Sequence, residues 1–370
     1  MILIYLCILS LLLWILLLLH PDQRYLFNDI LPKKSSLGEI PKVSVVIPCR
    51  NEELVLETTL KKILKVDYAD YEVILVDDCS TDSTYKIAKD YLDTPHKIIP
   101  GKEVLEGWAG KMWALQQGVE NATGEWILLS DADIIHSDQS ISQLVSLAFR
   151  ENYDMVSVMV SLSTKSFWEK LLVPAFVYFF KILYPFKAIR NKKRKVAAAA
   201  GGCILIKREV LANIGGIAAI HGELIDDVAL AKKVKSSGYN ISLWLAKDIC
   251  SVRDYVGVKD LWAMVARSAF TELKYSYIRL LFCTFGMCLL FLFPVICVLS
   301  SNTMLMCFGL VTYLVMTITY LPAVKFYDIP LLFALFIPLI GLLYMLMTLD
   351  SALKYTFGIR AKWKGRSYKN

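Results

Sequence analysis

The nine cysteines of this 370-residue chain make no pattern. Cys7, Cys283, Cys288, Cys297 and Cys307 fall in apolar runs, and Cys49, Cys79, Cys203 and Cys250 are scattered without a Cys-x-x-Cys pair. That excludes a disulfide scaffold or a zinc module and fits a reducing compartment. Histidine is scarce. His20, His96, His136 and His221 have no ligand spacing, so each reads as a surface or internally satisfied polar residue. Charged residues make up only 20% of the chain, and the net charge of +7 comes without any nucleic-acid module. The basic residues cluster beside apolar segments, which favours an anionic lipid surface over nucleic acid.

Apolar residues are abundant instead, at 56% with a mean hydropathy of +0.49. The excess sits at the two ends, the pattern of a membrane-attached protein with a soluble middle. Ile2 to Leu19 is one apolar run, just long enough to span a bilayer. It lacks a basic leader and a small-residue cleavage site, so residues 1–20 read as an uncleaved anchor. Arg24, Lys33, Lys34 and Lys42 follow it and place the next domain in the cytoplasm. Near the other end, three runs (278–299, 304–324 and 329–349) are each long enough to span. Residues 278–350 therefore read as membrane helices and 261–276 as an amphipathic linker. The basic tail of 351–370 holds Lys354, Arg360, Lys362, Lys364, Arg366 and Lys369. Three crossings would put that tail outside, against the positive-inside bias, so either one segment is re-entrant or interfacial, with the tail inside, or the bias is overridden.

Between the ends, residues 41–260 alternate strand and helix patterns. Val43 to Pro48 and Tyr71 to Val76 read as buried strands, with Lys97 to Ile99 a short one and Trp126 to Leu129 another. Glu52 to Lys65, Ser80 to Tyr91, Lys111 to Val119 and Asp226 to Lys235 carry helical patterns or caps. Such an order implies a mostly parallel α/β sheet flanked by helices, with ligands beyond the carboxyl ends of its strands. Residues 167–195 stand apart. Phe167 to Phe186 is aromatic but carries Glu169, Lys170 and Lys181, and it leads into a basic run from Lys187 to Lys195. It reads as a helix lying in the membrane interface.

Two acidic clusters close predicted strands. Asp77 and Asp78 end the second, and Asp131 and Asp133 follow the apolar run Leu128-Leu129-Ser130. Spaced two apart in extended backbone, Asp131 and Asp133 aim at one place, and their hard oxygens suit Mg²⁺ or Mn²⁺ held also by substrate phosphates. With Lys111 for the phosphates and Asp227 as a carboxylate base, the chain offers the parts needed to displace a diphosphate.

The residues Val45-Val46-Ile47-Pro48-Cys49-Arg50-Asn51-Glu52, Val76-Asp77-Asp78-Cys79-Ser80-Thr81-Asp82 and Ser130-Asp131-Ala132-Asp133 resemble the family 2 glycosyltransferases. Trp108-Ala109-Gly110-Lys111-Met112-Trp113-Ala114, Ala197 to Cys203 and Leu224 to Leu230 are similar to the hopene-associated, ceramide glucosyltransferase-like branch. The resemblance implies a GT-A fold with N- and C-terminal transmembrane helices. It also implies a divalent cation, Mg or Mn, and a nucleotide-sugar donor, a UDP-sugar by family default. Pro48, Arg50, Glu52, Asp77, Asp78, Lys111, Asp131 and Asp226 would then line the donor site. Asp133 would be the direct metal ligand, supported by Asp131, and Asp227 the general base. The Gln-x-x-Arg-Trp motif of processive relatives is absent. Arg267 is the nearest candidate for the cation beside the leaving group, and processive polymer synthesis is disfavoured. The expected activity is inverting transfer of one sugar to a membrane lipid, hopanoid-related or sphingoid-like, at a bacterial-type inner membrane. The alternatives are a polyprenyl-phosphate sugar transferase or an inactive membrane scaffold.

Overall fold

The computed structural model describes residues 1–33, 40–359 and 362–367. Lys34, Arg360 and Lys369, read above as basic flanking residues, lie outside the described residues. The chain divides into two units, one of Met1–Asn28, Thr164–Lys187 and Asp254–Ile359, the other of Asp29–Ser163, Ala188–Arg253 and Arg360–Asn370.

The second unit is built on an eight-stranded sheet: β1 (Val43–Cys49), β2 (Tyr71–Asp77), β3 (Lys97–Pro100), β4 (Trp126–Ser130), β5 (Ile134–Ile135), β6 (Met155–Ser161), β7 (Cys203–Lys207) and β8 (Ile241–Ser251). Their spatial order is β3-β2-β1-β4-β7-β6-β8-β5. The run β3-β2-β1-β4 is parallel, β7 is antiparallel to β4 and β6, β6 and β8 pair in parallel, and β5 is antiparallel to β8. The mostly parallel sheet expected from the alternating pattern is present.

Every residue of β1 and β4 is buried, as strands covered on both faces by helices must be. Polar residues inside the sheet have partners. Glu72 accepts from Ser44 Oγ at 2.7 Å and from Thr123 N and Oγ1 at 2.8 and 2.6 Å, tying β1 and β2 to the turn before β4. Burial alone would raise its pKa, but these bonds and Lys97 hold it down at about 2. Strands β6 and β8 go beyond the sequence reading. The serines of β6 blur its pattern, yet Ser157 is buried and exchanges bonds with Ala200.

The first unit holds four helices long and apolar enough to cross a membrane: Ile2–Leu19, Tyr277–Val298, Thr303–Phe326 and Leu331–Thr356. The second contains a π-helical turn, Cys288–Leu292. There Leu289 and Leu290 turn their carbonyls to Ser10 Oγ and Trp14 Nε1, at 3.0 and 3.1 Å. Backbone groups released from a helix in an apolar medium need such donors. Close packing rests on small residues. A Cβ on Gly309 would stand 2.7 Å from Cys297 Cβ, and one on Gly341 would stand 2.4 Å from the Phe291 ring.

The aromatic segment forms the helix Phe167–Leu183, begun by a Ser166–Glu169 capping box. Its Glu169 and Lys181 are buried, Glu169 accepting from Tyr255 N at 2.8 Å and Lys181 lying over the Phe186 ring at 3.9 Å. The expected linker helix is broken into Val258–Ala266 and Ala269–Glu272.

Candidate active site

The acidic clusters stand where the sheet's central strands end. Asp77 closes β2, and Asp78 follows with its backbone N–H bonded to the Cys49 carbonyl at the end of β1. Left-handed backbone at Asn51 and Cys79 turns both chain segments sharply after their strands. The turns are cross-linked: Asn51 Oδ1 accepts from Thr81 N at 2.8 Å, and Thr84 Oγ1 accepts from Glu52 N at 2.7 Å. Arg50 spans them and donates to the carbonyls of Asp78 and Cys79. Pro48, one residue from the end of β1, pairs with Val76 in the ladder. One oxygen of Asp77 accepts from Ser80 N at 3.2 Å, while Oδ1 is buried without a hydrogen bond. A buried acceptor of that kind is costly unless a ligand donor reaches it. Asp78 is 1% exposed, and burial pushes its carboxyl up to about 6 against the opposing pull of Arg366 and Arg50.

Asp131 and Asp133 lie just past β4. Ser130, the last strand residue, bonds the buried His136 ring at 2.9 Å and so braces the loop that carries both carboxylates. Burial lowers the His136 pKa to about 4, so the ring is neutral, with Nε2 bonded to Ser130 and Nδ1 buried without a hydrogen bond, only half the satisfied polar role expected of it. Asp131 Oδ1 is 2.8 Å from Lys111 Nζ, which also lies 3.5 Å from Asp226 Oδ2. Asp133 Oδ2 accepts from Ser251 Oγ at 2.9 Å and from Arg253 Nε at 3.0 Å, and Arg253 Nη2 donates to both oxygens of Glu52.

Asp226 and Asp227 open the helix Asp226–Ser236. Asp227 Oδ2 accepts from Gly201 N at 2.8 Å, and Oδ1 accepts from Val228 N at 2.7 Å. A Cβ on Gly201 would fall 3.4 Å from the Asp227 carboxylate and 3.5 Å from Lys111 Nζ, so the small-residue run before β7 lets backbone approach both groups. Burial and the Asp226 charge raise Asp227 to about 7, partly offset by Lys111 and the two amides. Asp131 is also shifted upward, chiefly by burial. A small cleft joins Lys111, Asp131, Gly201, Asp226 and Asp227.

The structure thus gathers Arg50, Glu52, Asp77, Asp78, Lys111, Asp131, Asp133, Asp226 and Asp227 along one sheet edge in one unit. Arg267 is in the other unit, exposed at the end of the helix Val258–Ala266. Trp108 and Trp113 pack on each other at 5.1 Å, and Trp113 donates to the Lys102 carbonyl. Three cations at the site escaped the sequence reading. Arg253 follows β8 with no motif around it, and Lys364 and Arg366 come from the distant tail. Lys364 Nζ lies 3.0 Å from Glu52, and Arg366 Nε lies 2.9 Å from Asp78.

The carboxylates suit a divalent ion. Among the described residues no group of three His, Cys, Asp or Glu side chains forms a closed metal cage. Mg²⁺ and Mn²⁺ with a phosphate substrate need only one or two protein carboxylates. The contacts of Asp131 and Asp133 with Lys111, Ser251 and Arg253 use one oxygen of each. Cations stand beside both carboxylates, as expected where acids are gathered to hold positive charge.

Residues 44–215 match the model for glycosyl transferase family 2. The probable glycosyltransferase YdaM of Bacillus subtilis is 29% identical over 249 residues, covering 64% of this chain and 58% of that protein. A beta-monoglucosyldiacylglycerol synthase of Nostoc is 30% identical over 142 residues, 37% of this chain and 30% of that one. The matches therefore span less than two thirds of these relatives' lengths. Among solved structures, the mannosyltransferase PcManGT of Pyrobaculum calidifontis, in complex with GDP-Man and Mn²⁺, aligns over 96% of this chain and 99% of its own. Its TM-score is 0.57 at 18% identity, a likeness of fold.

Proposed function

The chain belongs to glycosyl transferase family 2 through residues 44–215, and on that premise we propose that it is a membrane-attached enzyme that transfers one sugar from a nucleotide donor to a lipid hydroxyl, with inversion. The observation that carries this reading is the meeting of Asp131, Asp226 and Asp227 around Lys111 at the end of the central strands.

Asp77 and Asp78 receive the nucleoside, for which the unpartnered Asp77 Oδ1 is a ready acceptor. Asp131 and Asp133 would hold Mg²⁺ or Mn²⁺, which when bound neutralises the donor diphosphate. Lys111, next to Asp131, faces the same phosphates. Asp227, held by the Gly201 and Val228 amides, takes the proton of the acceptor hydroxyl. The hydroxyl oxygen then bonds to the anomeric carbon as the bond from that carbon to the diphosphate oxygen breaks, and the nucleoside diphosphate leaves with the electron pair. A base whose pKa lies near 7 is matched to this task at neutral pH.

The lipid acceptor follows from the membrane helices and from the likeness to a glycolipid synthase. A hopanoid-related or sphingoid-like lipid is the acceptor class carried over from the sequence motifs. The catalytic unit faces the cytoplasm of a bacterial-type inner membrane. The test is turnover of UDP- and GDP-sugars by the purified protein. Release of nucleoside diphosphate should require Mn²⁺ or Mg²⁺, stop with EDTA and fall at least about 100-fold in Asp133→Ala. Metal-independent turnover, or an active Asp133→Ala, would remove the assigned metal role.

A further inference from the structure

The segment Lys362–Ser367 forms a small antiparallel hairpin, β9 (Lys362–Trp363) and β10 (Arg366–Ser367). Its two-residue turn, Lys364-Gly365, has both residues in left-handed backbone (φ 47° and 84°). A tight turn of that kind fixes where the flanking side chains go. Arg366 forks onto Asp78, with Nε 2.9 Å from Oδ2 and Nη2 donating to Oδ1 at 3.0 Å. Lys364 Nζ reaches Glu52 Oε2 at 3.0 Å and donates to the Asn51 carbonyl at 3.0 Å, while its own carbonyl accepts from Arg50 Nε at 3.2 Å. Gly110 makes room for this: a Cβ there would stand 2.9 Å from Arg366 Cδ and 3.3 Å from the Trp363 ring.

We propose that this hairpin is a strap over the nucleoside end of the donor site and is displaced by the nucleoside diphosphate. The inference rests on the donor-site reading of Asp78 and Glu52 given above. Arg366 engages both oxygens of Asp78, so a nucleoside that bonds this carboxylate must first remove the guanidinium. Asp78 is almost fully buried and cannot be left bare without cost. The strap therefore yields to a ligand that supplies new hydrogen bonds to Asp78, not to water. Donor affinity then scales with the fraction of chains whose strap is open, about tenfold weaker if nine in ten are closed.

The experiment is calorimetric titration of the full-length, detergent-purified protein with UDP and with GDP in the presence of Mn²⁺. Wild type is compared with Lys364→Ala/Arg366→Ala and with a chain ended after Ile359, so that a folding defect in one variant leaves the other. The strap predicts tighter binding, about fivefold or more, in both variants. Equal binding overturns the strap, and so does weaker binding, which would make Lys364 and Arg366 phosphate contacts. If neither nucleotide binds any of the three proteins, the donor-site reading falls and the strap with it.

Discussion

Asp227 shows most clearly how this site is tuned. Burial and its neighbour Asp226 push it up to about 7, while Lys111 and two backbone amides pull the other way. A carboxylate base works only when deprotonated. Activity should therefore be low in acid, rise through pH 7 and level off above it, falling about tenfold per pH unit on the acid side. A pH series of kcat/KM measures this, and a flat profile from pH 5.5 to 8 would show that Asp227 is not the base. Residue-level legibility was uneven. Asp77, Asp78, Asp131, Asp133 and Asp227 announce themselves as acids at the ends of strand or helix patterns. Arg253 does not, because its partner Glu52 is 201 positions away in the chain, and Arg366 lies 288 positions from Asp78. Contacts that distant leave no local pattern. Arg267 was reached from the absence of a motif, and it falls in the other unit.

Among the elements, the apolar strands and spanning helices were legible from hydrophobic runs alone. Strands β6 and β8 were not, since Ser157 and Ser242 interrupt them and the burial of those serines depends on neighbours elsewhere in the chain. The element that most changes the account is Leu331–Thr356. Within the first unit, Phe27 packs on Phe326 at 5.6 Å, so the end of Thr303–Phe326 lies beside the segment just after the first helix. At the opposite end, Cys7 clusters with Cys297 and Leu305. Tyr313, partway along that helix, donates to the Leu335 carbonyl, and Phe291 fits against Gly341. Tyr277 then bonds Thr356 at 2.8 Å, so the last helix returns to the end where Tyr277–Val298 begins. On the proposed topology, Leu331–Thr356 should accordingly enter and leave on the cytoplasmic side. In right-side-out vesicles of a cysteine-free background, Asn302→Cys should react with an impermeant maleimide. Asp328→Cys and Phe357→Cys should react only after permeabilisation. Labelling of Phe357→Cys from outside would make the segment a full crossing.

The hairpin 362–367 belongs to the same unit as the candidate site, so the proposed cytoplasmic placement of that unit predicts an even number of crossings after it. The basic tail sends Lys364 to Glu52 and Arg366 to Asp78. The central claim is that this site glycosylates a membrane lipid. The direct measurement is mass spectrometry of lipid extracts from cells that lack the protein, express it, or express Asp227→Asn. A lipid heavier than its precursor by one sugar should be present only with the active protein, because loss of the base costs about 100-fold or more in rate. Identical lipid profiles in all three would contradict the account, and a sugar-bearing lipid made equally well by Asp227→Asn would shift the acceptor from a hydroxyl to a phosphate, which needs no base.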